Sequence, residues 1–201
     1  MHIRASAIVC ATRPHGETAV IARLLTQDEG MVAAYVAGGR GRHLRPVLVP
    51  GNVVSAELRS RSDTQLPFAS VELQTSRGQW MGEPLAALAI QWATALTATT
   101  LPERQAYPLL YDALAALLDA ICLAPSARGW TPALLSYELL LLRELGYGED
   151  ADRLEPGDWT ATMTSFDRIG TQLERYLLAE RRGNVMAARA MLRERLGKIG
   201  E

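Results

Sequence analysis

The chain has 201 residues, of which 48% are hydrophobic and 21% charged, and its formal net charge is -1. No window approaches the roughly eighteen uninterrupted apolar residues of a membrane span, and the apolar content is too high for a disordered chain. The first residues contain too short an apolar run for a secretory signal, and two cysteines 112 positions apart indicate no disulfide framework. We therefore expect a globular cytoplasmic protein of one large or two small domains.

Charge is distributed unevenly along the chain. Residues 1–80 contain nine arginines and six acidic residues, whereas residues 81–201 contain twelve basic and sixteen acidic residues. The net charge is therefore +3 in the first part and -4 in the second. This asymmetry favours a polyanionic partner for the N-terminal part.

Short apolar runs separated by turn residues predict five strands before residue 80. The runs are ASAIVCAT, TAVIARLLT, MVAAYVA, PVLVPGNVVSAELRS and FASVELQT. Five strands in about eighty residues fit a small barrel such as the OB-fold better than a two-sheet sandwich, which usually has about seven. Within the fourth run, residues 46–52 predict a short strand and a turn. We expect Cys10, Tyr35 and Phe68 to be buried in this barrel.

Apolar residues recur at three and four positions after residue 82, which predicts helices. The first contains Trp92, and the second begins near Pro108. The third is predicted to be capped by Thr131 and to end at Gly146, and residues 148–158 are predicted to form a loop.

Two more helices are predicted, near residues 167–181 and 184–197. In the last one, Leu192 and Leu196 belong to the apolar stripe, and Arg189 is assigned to a different face. The sequence thus predicts an α+β protein, with an OB-fold-like five-stranded β-barrel in residues 1–80 and an all-α helical domain in residues 81–201.

Motifs of catalysis and metal binding are absent from the sequence. It contains no nucleophile elbow, no His-Glu-x-x-His and no phosphate-binding loop. We therefore predict no catalytic residues, no metal site and no cofactor. An uncharacterised hydrolase built on Asp112, Asp119 and Glu138 is the enzymatic alternative, although these acids fall on predicted helices.

The main candidate for function is the loop GGRGRHLR at residues 38–45, which contains Arg40, Arg42 and Arg45. These arginines either solubilise a long hairpin tip or follow a phosphate backbone, and Arg59 and Arg61 then extend the cationic track. Aromatic residues are scarce in this part, so backbone charge rather than base stacking is expected to dominate affinity. A protein-interaction module with incidental DNA binding is the non-enzymatic alternative.

The order of segments resembles the bacterial recombination mediator family RecO along nearly the whole chain. The matching segments are Ala7-Ile8-Val9, Gly16-Glu17, the Gly-Arg loop, Leu48-Val49-Pro50-Gly51, LPERQAYPLLYDALAALLDAI and YELLLLRELGYGED. The resemblance implies an OB-fold followed by a helical domain, in a non-enzymatic protein that binds single- and double-stranded DNA and anneals strands. It also implies RecR and the C-terminal tail of single-strand-binding protein as partners, with RecA loaded indirectly.

The chain departs from this family pattern in two ways. Many RecO proteins have a Cys-x-x-Cys cluster where this chain has GEDADRLEP, which implies a member without zinc. Many also have an arginine before the glutamate that matches Glu138, so Arg128 and Arg143 become the candidates for binding the acidic tail. Arg189 occupies the position of a family Ser-Arg pair and is the third candidate for binding a partner. We expect a monomer that associates with the nucleoid.

Overall fold

The computed structural model describes residues 2–60, 62, 65–148, 158–179 and 185–199. Contacts divide the chain into two compact units. The first consists of Met1–Gly82 together with Leu101–Tyr111, and the second consists of Glu83–Thr100 together with Asp112–Glu201. A single boundary at residue 80 does not separate these units, because residues 101–111 return to the first. No helix within the described ranges combines the length and hydropathy needed to cross a membrane.

The first unit is a five-stranded closed barrel with the strand order β1-β2-β3-β5-β4. Its strands are β1 (His2–His15), β2 (Ala19–Thr26), β3 (Gly30–Val36), β4 (Val53–Arg59) and β5 (Phe68–Thr75). Neighbouring strands are antiparallel, except that β3 and β5 are parallel where Tyr35 pairs with Phe68. The predicted OB-like barrel is therefore confirmed.

The barrel core is formed by alternate residues of each strand. Its inward positions include many small side chains, which allow the strands to curve tightly around a narrow interior; they include Ala7, Ala22, Ala34, Ala56 and Ala69. A bulge between Val9 and Ala11 bends β1, so that one strand pairs with both β2 and β4. Because inward residues alternate with outward ones, the core fixes which side chains face outward.

Residues 103–105 pack along the part of β3 that does not pair with β5. The backbone amide of Arg104 donates to the carbonyl of Met31 at 2.9 Å, and the amide of Ala33 donates to the Glu103 carboxylate at 2.9 Å. Gly30 opens β3 with a φ of 69°, and a Cβ there would lie 1.8 Å from the Gln105 carbonyl oxygen. Only glycine fits this position, since both the backbone angle and the close approach exclude a side chain.

The remaining regular structure is helical, as predicted. The helices are α1 (Pro84–Thr100), α2 (Pro108–Leu123), α3 (Ala127–Leu142), α4 (Trp159–Leu173) and α5 (Met186–Gly197). Single π-helical turns extend α3 over Arg143–Tyr147 and α4 over Glu174–Leu178. The predicted loop at 148–158 lies almost entirely outside the described residues.

Three predicted boundaries were wrong. Helix α3 begins at Ala127, and Thr131 is buried inside it, where its hydroxyl donates to the Ala127 carbonyl instead of capping the helix. Pro132 is the sixth residue of the helix, and it removes one backbone hydrogen bond there. Helix α4 begins eight residues earlier than predicted, since Asp158 accepts a hydrogen bond from the Ala161 amide and caps it. Residues 46–48 form turns, and β4 starts only at Val53.

Candidate nucleic-acid interface

The cationic loop between β3 and β4 is compact, with its apolar residues packed on the barrel and its basic residues exposed. Leu48 is buried in the barrel core, and Leu44 and Val47 pack against that core. Successive backbone hydrogen bonds, including the amide of Arg45 to the Gly41 carbonyl at 2.9 Å, close the loop on itself. The loop is therefore a folded end of the barrel and differs from an extended hairpin tip.

Gly39 makes this close packing possible. A Cβ at this position would lie 2.5 Å from a methyl carbon of Val20 and 3.1 Å from Leu48. The glycine lets the loop backbone lie directly against the barrel. The basic residues that follow are left at the surface by this arrangement.

The three loop arginines are exposed but differ in their contacts. The Arg40 guanidinium donates to the carbonyls of Gly16 and Glu17, at 3.3 and 3.0 Å, and so joins the loop to the β1–β2 turn. Among the residues that the structure describes, the Arg42 side chain donates only to the His43 ring, at 3.3 Å. Within the described part of the chain, no acidic side chain forms an ion pair with Arg40, Arg42 or Arg45. Their charges are therefore not neutralised there.

Asn52 anchors the end of the loop and was not identified from the sequence. Its side-chain amide donates to the carbonyls of Pro46 and Val47 at 2.9 and 3.0 Å, and its carbonyl oxygen accepts from the Arg77 amide at 2.7 Å. The Arg77 guanidinium in turn donates to the Gly51 carbonyl. A fully buried asparagine is unusual, and its position after Pro-Gly is the feature that could have marked it.

Arg59 has an acidic neighbour, unlike the loop arginines. Glu57 accepts hydrogen bonds from Arg59 Nη2 and from His2 Nε2, each at 2.6 Å. The bonds from Arg59 and then His2 lower the pKa of the Glu57 carboxyl, so this carboxylate stays ionised and offsets the Arg59 charge. Arg61 lies outside the described residues.

The register of the strands places six side chains next to one another on the outer side of the barrel wall. We call these six residues the outer row. Each member is the cross-strand partner of the next. The row runs through Arg13, Ile21, Tyr35, Phe68, Arg59 and His2.

Phe68 contradicts the prediction that it is buried, since it is 64% exposed. Ala69 and Val71 fill the inward positions of β5 instead, and this turns the ring outward. Tyr35 is half-buried and meets Phe68 edge to face, with ring centroids 5.1 Å apart. Cys10, by contrast, is buried as predicted.

Arg23 is a further cation on the outer face that the sequence did not single out. It lies on β2 beside Ala33 and forms an ion pair with Glu103 at 2.9 Å. Arg13 and Arg23 line the same small hollow on β1 and β2. Alternation along β2 could have placed Arg23 outward, because Ala22 and Leu24 point into the core.

Arg189, predicted to dock a partner, is buried in the helical unit with 4% of its surface exposed. Its guanidinium donates to both oxygens of Glu138 and to the Phe166 carbonyl, at 3.0, 2.7 and 2.8 Å. The assignment of Arg189 to a different face from Leu192 and Leu196 was therefore wrong, since all three residues are buried.

Arg128 and Arg143, by contrast, lie at the surface. Arg128 donates to the Ile199 carbonyl at 3.2 Å and stacks over the Trp159 ring at 5.3 Å. Arg143 lies 3.9 Å from its neighbour Glu144. About fifteen residues of helix separate them, or roughly 22 Å along the axis. One small anion cannot contact both.

The acids of the alternative hydrolase do not form an open site. Glu138 is fully buried and also accepts from Trp92 Nε1 at 2.7 Å, so its carboxylate is occupied by Trp92 and Arg189. Asp112 and Asp119 are exposed on α2. Across the described residues, no three His, Cys, Asp or Glu side chains group as a metal ion requires.

Comparison with known proteins supplies a family for this architecture. Residues 1–77 match the model described as Recombination protein O N terminal, and residues 81–153 match Recombination protein O C terminal. DNA repair protein RecO of Rhodospirillum centenum is 41% identical over 145 residues, which cover 72% of this chain and 56% of the relative. DNA repair protein RecO of Dinoroseobacter shibae is 38% identical over 148 residues, which cover 73% of this chain and 60% of the relative.

A third relative gives the same picture. DNA repair protein RecO of Paracoccus denitrificans is 40% identical over 144 residues, which cover 72% of this chain and 58% of the relative. The chain thus spans less than two thirds of the length of these relatives. Both units of the fold nevertheless match the same family, and the chain belongs to the RecO family of DNA repair proteins.

Proposed function

We propose that this protein is a non-enzymatic DNA repair factor that binds single-stranded DNA and anneals complementary strands. The observation that supports this proposal most directly is the folded loop between β3 and β4. It holds Arg40, Arg42 and Arg45 at the surface, and within the described residues no carboxylate neutralises them. Guanidinium groups grouped at one end of a barrel suit a phosphate backbone, which they contact without reading sequence.

Annealing follows from charge neutralisation alone. Two complementary strands repel each other through their phosphates, and bound arginines reduce this repulsion while holding the strands close together. No nucleotide hydrolysis is needed. Because phosphate contacts dominate, binding should tolerate both single- and double-stranded DNA and should weaken steeply with salt.

The helical unit is proposed to bind protein partners. Arg128 and Arg143 are exposed cations on α3 and its π-helical extension, and their spacing of roughly 22 Å fits an extended acidic segment better than a single carboxylate. Such a segment is the C-terminal tail of single-strand-binding protein. Arg189 is excluded from this surface because it is buried. With RecR, the protein would help RecA load onto DNA coated with single-strand-binding protein, in the cytoplasm near the nucleoid.

A strand-annealing assay tests the proposal. Two complementary labelled oligonucleotides are mixed with the protein, with and without single-strand-binding protein, and duplex formation is followed by fluorescence. We expect faster annealing than the spontaneous reaction at low salt, and retained annealing on coated strands. Spontaneous rates under both conditions would overturn the proposal and favour a module that binds only proteins.

A further inference from the structure

The outer row places an exposed aromatic ring between cations at the surface of the barrel. Phe68 is the cross-strand partner of Arg59 on one side and of Tyr35 on the other. Beyond Tyr35 the row continues through Ile21 to Arg13. Ile21 is only 5% exposed, so the accessible apolar surface consists of Phe68 and Tyr35, and Arg59 lies next to it. A ring beside a guanidinium matches a ligand that is aromatic and anionic at once.

The ring of Phe68 is supported but not covered. Tyr35 meets it at an interplanar angle of 68°, and His15 meets Tyr35 at 88° with centroids 5.8 Å apart. These contacts leave 64% of the residue exposed. A ring held in this way loses little conformational freedom when a flat ligand stacks on it.

A hollow of about 760 Å³ lies beside the ring. It is lined by Arg59, Ser60, Gln65, Leu66 and Phe68. Leu66 is 42% exposed and enlarges the apolar surface, while Ser60 and Gln65 contribute polar atoms. This combination of a flat ring, a polar rim and a guanidinium fits a base with its attached phosphate.

We infer that Phe68 stacks against a nucleobase of single-stranded DNA while Arg59 contacts an adjacent phosphate. The inference rests on the proposed function and adds a second mode of contact to it. Bases in a duplex are already stacked and paired, so Phe68 can engage only unpaired nucleotides. The loop arginines then supply affinity for any DNA, and Phe68 supplies preference for single strands.

Binding of labelled oligonucleotides, followed by fluorescence anisotropy, tests this division. A thymidine oligonucleotide, an abasic oligonucleotide of equal length and a duplex serve as probes. We expect Phe68→Ala to lose about five-fold or more in affinity for the thymidine probe, since base stacking on an aromatic ring has this magnitude. Affinities for the abasic and duplex probes should stay unchanged.

Matched variants separate stacking from apolar contact. Phe68→Trp should retain the affinity of the original chain for the thymidine probe, and Phe68→Leu should lose most of what Phe68→Ala loses. Leu73→Ala removes another exposed apolar side chain of β5 and should change nothing.

The possible failures are distinguishable. Equal binding of the thymidine probe by Phe68→Ala and the original chain would overturn the inference, assign Phe68 to a protein contact and leave the proposed function intact. An equal loss on the thymidine and abasic probes would also overturn it. Absence of binding to every probe by the original chain would overturn the inference and the proposed function together.

Discussion

Glu138 and Arg189 form a buried ion pair between α3 and α5, 51 residues apart in sequence, with nitrogen to oxygen distances of 3.0 and 2.7 Å. Each partner also forms a hydrogen bond with a residue of a further helix. Glu138 accepts from Trp92 of α1, and Arg189 donates to the carbonyl of Phe166 in α4. The pair therefore links four helices of the second unit and satisfies its own buried polar atoms.

Loss of Arg189 should strongly destabilise the helical unit. Arg189→Ala leaves the Glu138 carboxylate buried without a counter-charge, which costs about 3–5 kcal/mol. We expect the free energy of unfolding, measured by urea titration with circular dichroism, to fall by about that amount. The double variant E138Q/R189M has no uncompensated charge and keeps an acceptor for Trp92, so it should recover most of the loss.

A second arginine of α5 provides the control. Arg193 pairs with Asp167 at 2.6 Å, but both side chains are partly exposed. Arg193→Ala should therefore cost at most about 1 kcal/mol. Equal stability of the Arg189→Ala and Arg193→Ala variants would contradict the role assigned to the buried pair.

The contrast between these two arginines shows the limit of reasoning from periodicity. Strands and helices were predictable because they depend on the local spacing of apolar residues. The burial of Arg189 depends on an acid 51 positions away, and no local pattern encodes that pairing. The start of α3 was missed for a related reason. Ser126 precedes the helix and Thr131 lies inside it, and both residue types are acceptable caps by local sequence.

The candidate site was predictable to a similar extent. The loop arginines could be identified because glycine and charge are local features. The exposure of Phe68 could also have been inferred from alternation, because Phe68 shares its face of β5 with the polar residues Ser70, Glu72 and Gln74. The narrow interior of a five-stranded barrel selects the smaller set, Ala69 and Val71, and the larger ring is turned outward.

Removing the negative charge of Glu57 should strengthen DNA binding. Hydrogen bonds from Arg59 and His2 lower the pKa of this carboxyl, so it remains charged at neutral pH and repels phosphate beside Arg59. We expect Glu57→Gln to raise the affinity for a thymidine oligonucleotide by about two- to five-fold at low salt. The measurement is fluorescence anisotropy across a salt series.

The gain should shrink as salt rises, because screening weakens the repulsion that the substitution removes. Glu72→Gln, also on an outward position of the barrel, is the charge-matched control and should have a smaller effect. A Glu57→Gln variant that binds no better than Glu72→Gln at low salt would show that Arg59 is not a DNA contact.

Cys10 should make the stability of the barrel sensitive to alkaline pH. Burial raises the pKa of its thiol from 9.0 to about 12. Above pH 9 the unfolded chain loses a proton that the folded chain keeps, so the free energy of unfolding falls as pH rises toward 12. We expect this alkaline decline, measured by urea titration at several pH values, to be shallower in Cys10→Ala. Parallel declines would contradict the prediction.

The loop arginines should divide into one structural and two DNA-contacting residues. Arg40 donates to the carbonyls of Gly16 and Glu17, whereas Arg42 donates to the adjacent His43. Replacing Arg42 and Arg45 together with alanine should weaken binding to single-stranded DNA. It should also flatten the slope of log affinity against log salt by about 0.7 for each lost phosphate contact. Thermal stability should hardly change, because neither guanidinium pairs with an acid among the described residues.

Arg40→Ala should behave differently, lowering the melting temperature as the loop loses its tie to the β1–β2 turn. Arg40→Lys is its control, since lysine keeps the charge but cannot reproduce the guanidinium geometry. If Arg40 acts only through phosphate, the lysine variant will match the original chain in both stability and salt slope. If Arg40 acts as its contacts indicate, the lysine variant will retain the salt slope and lose stability.

An Arg42 and Arg45 double variant with unchanged affinity and unchanged salt slope would remove the loop from the DNA-binding surface.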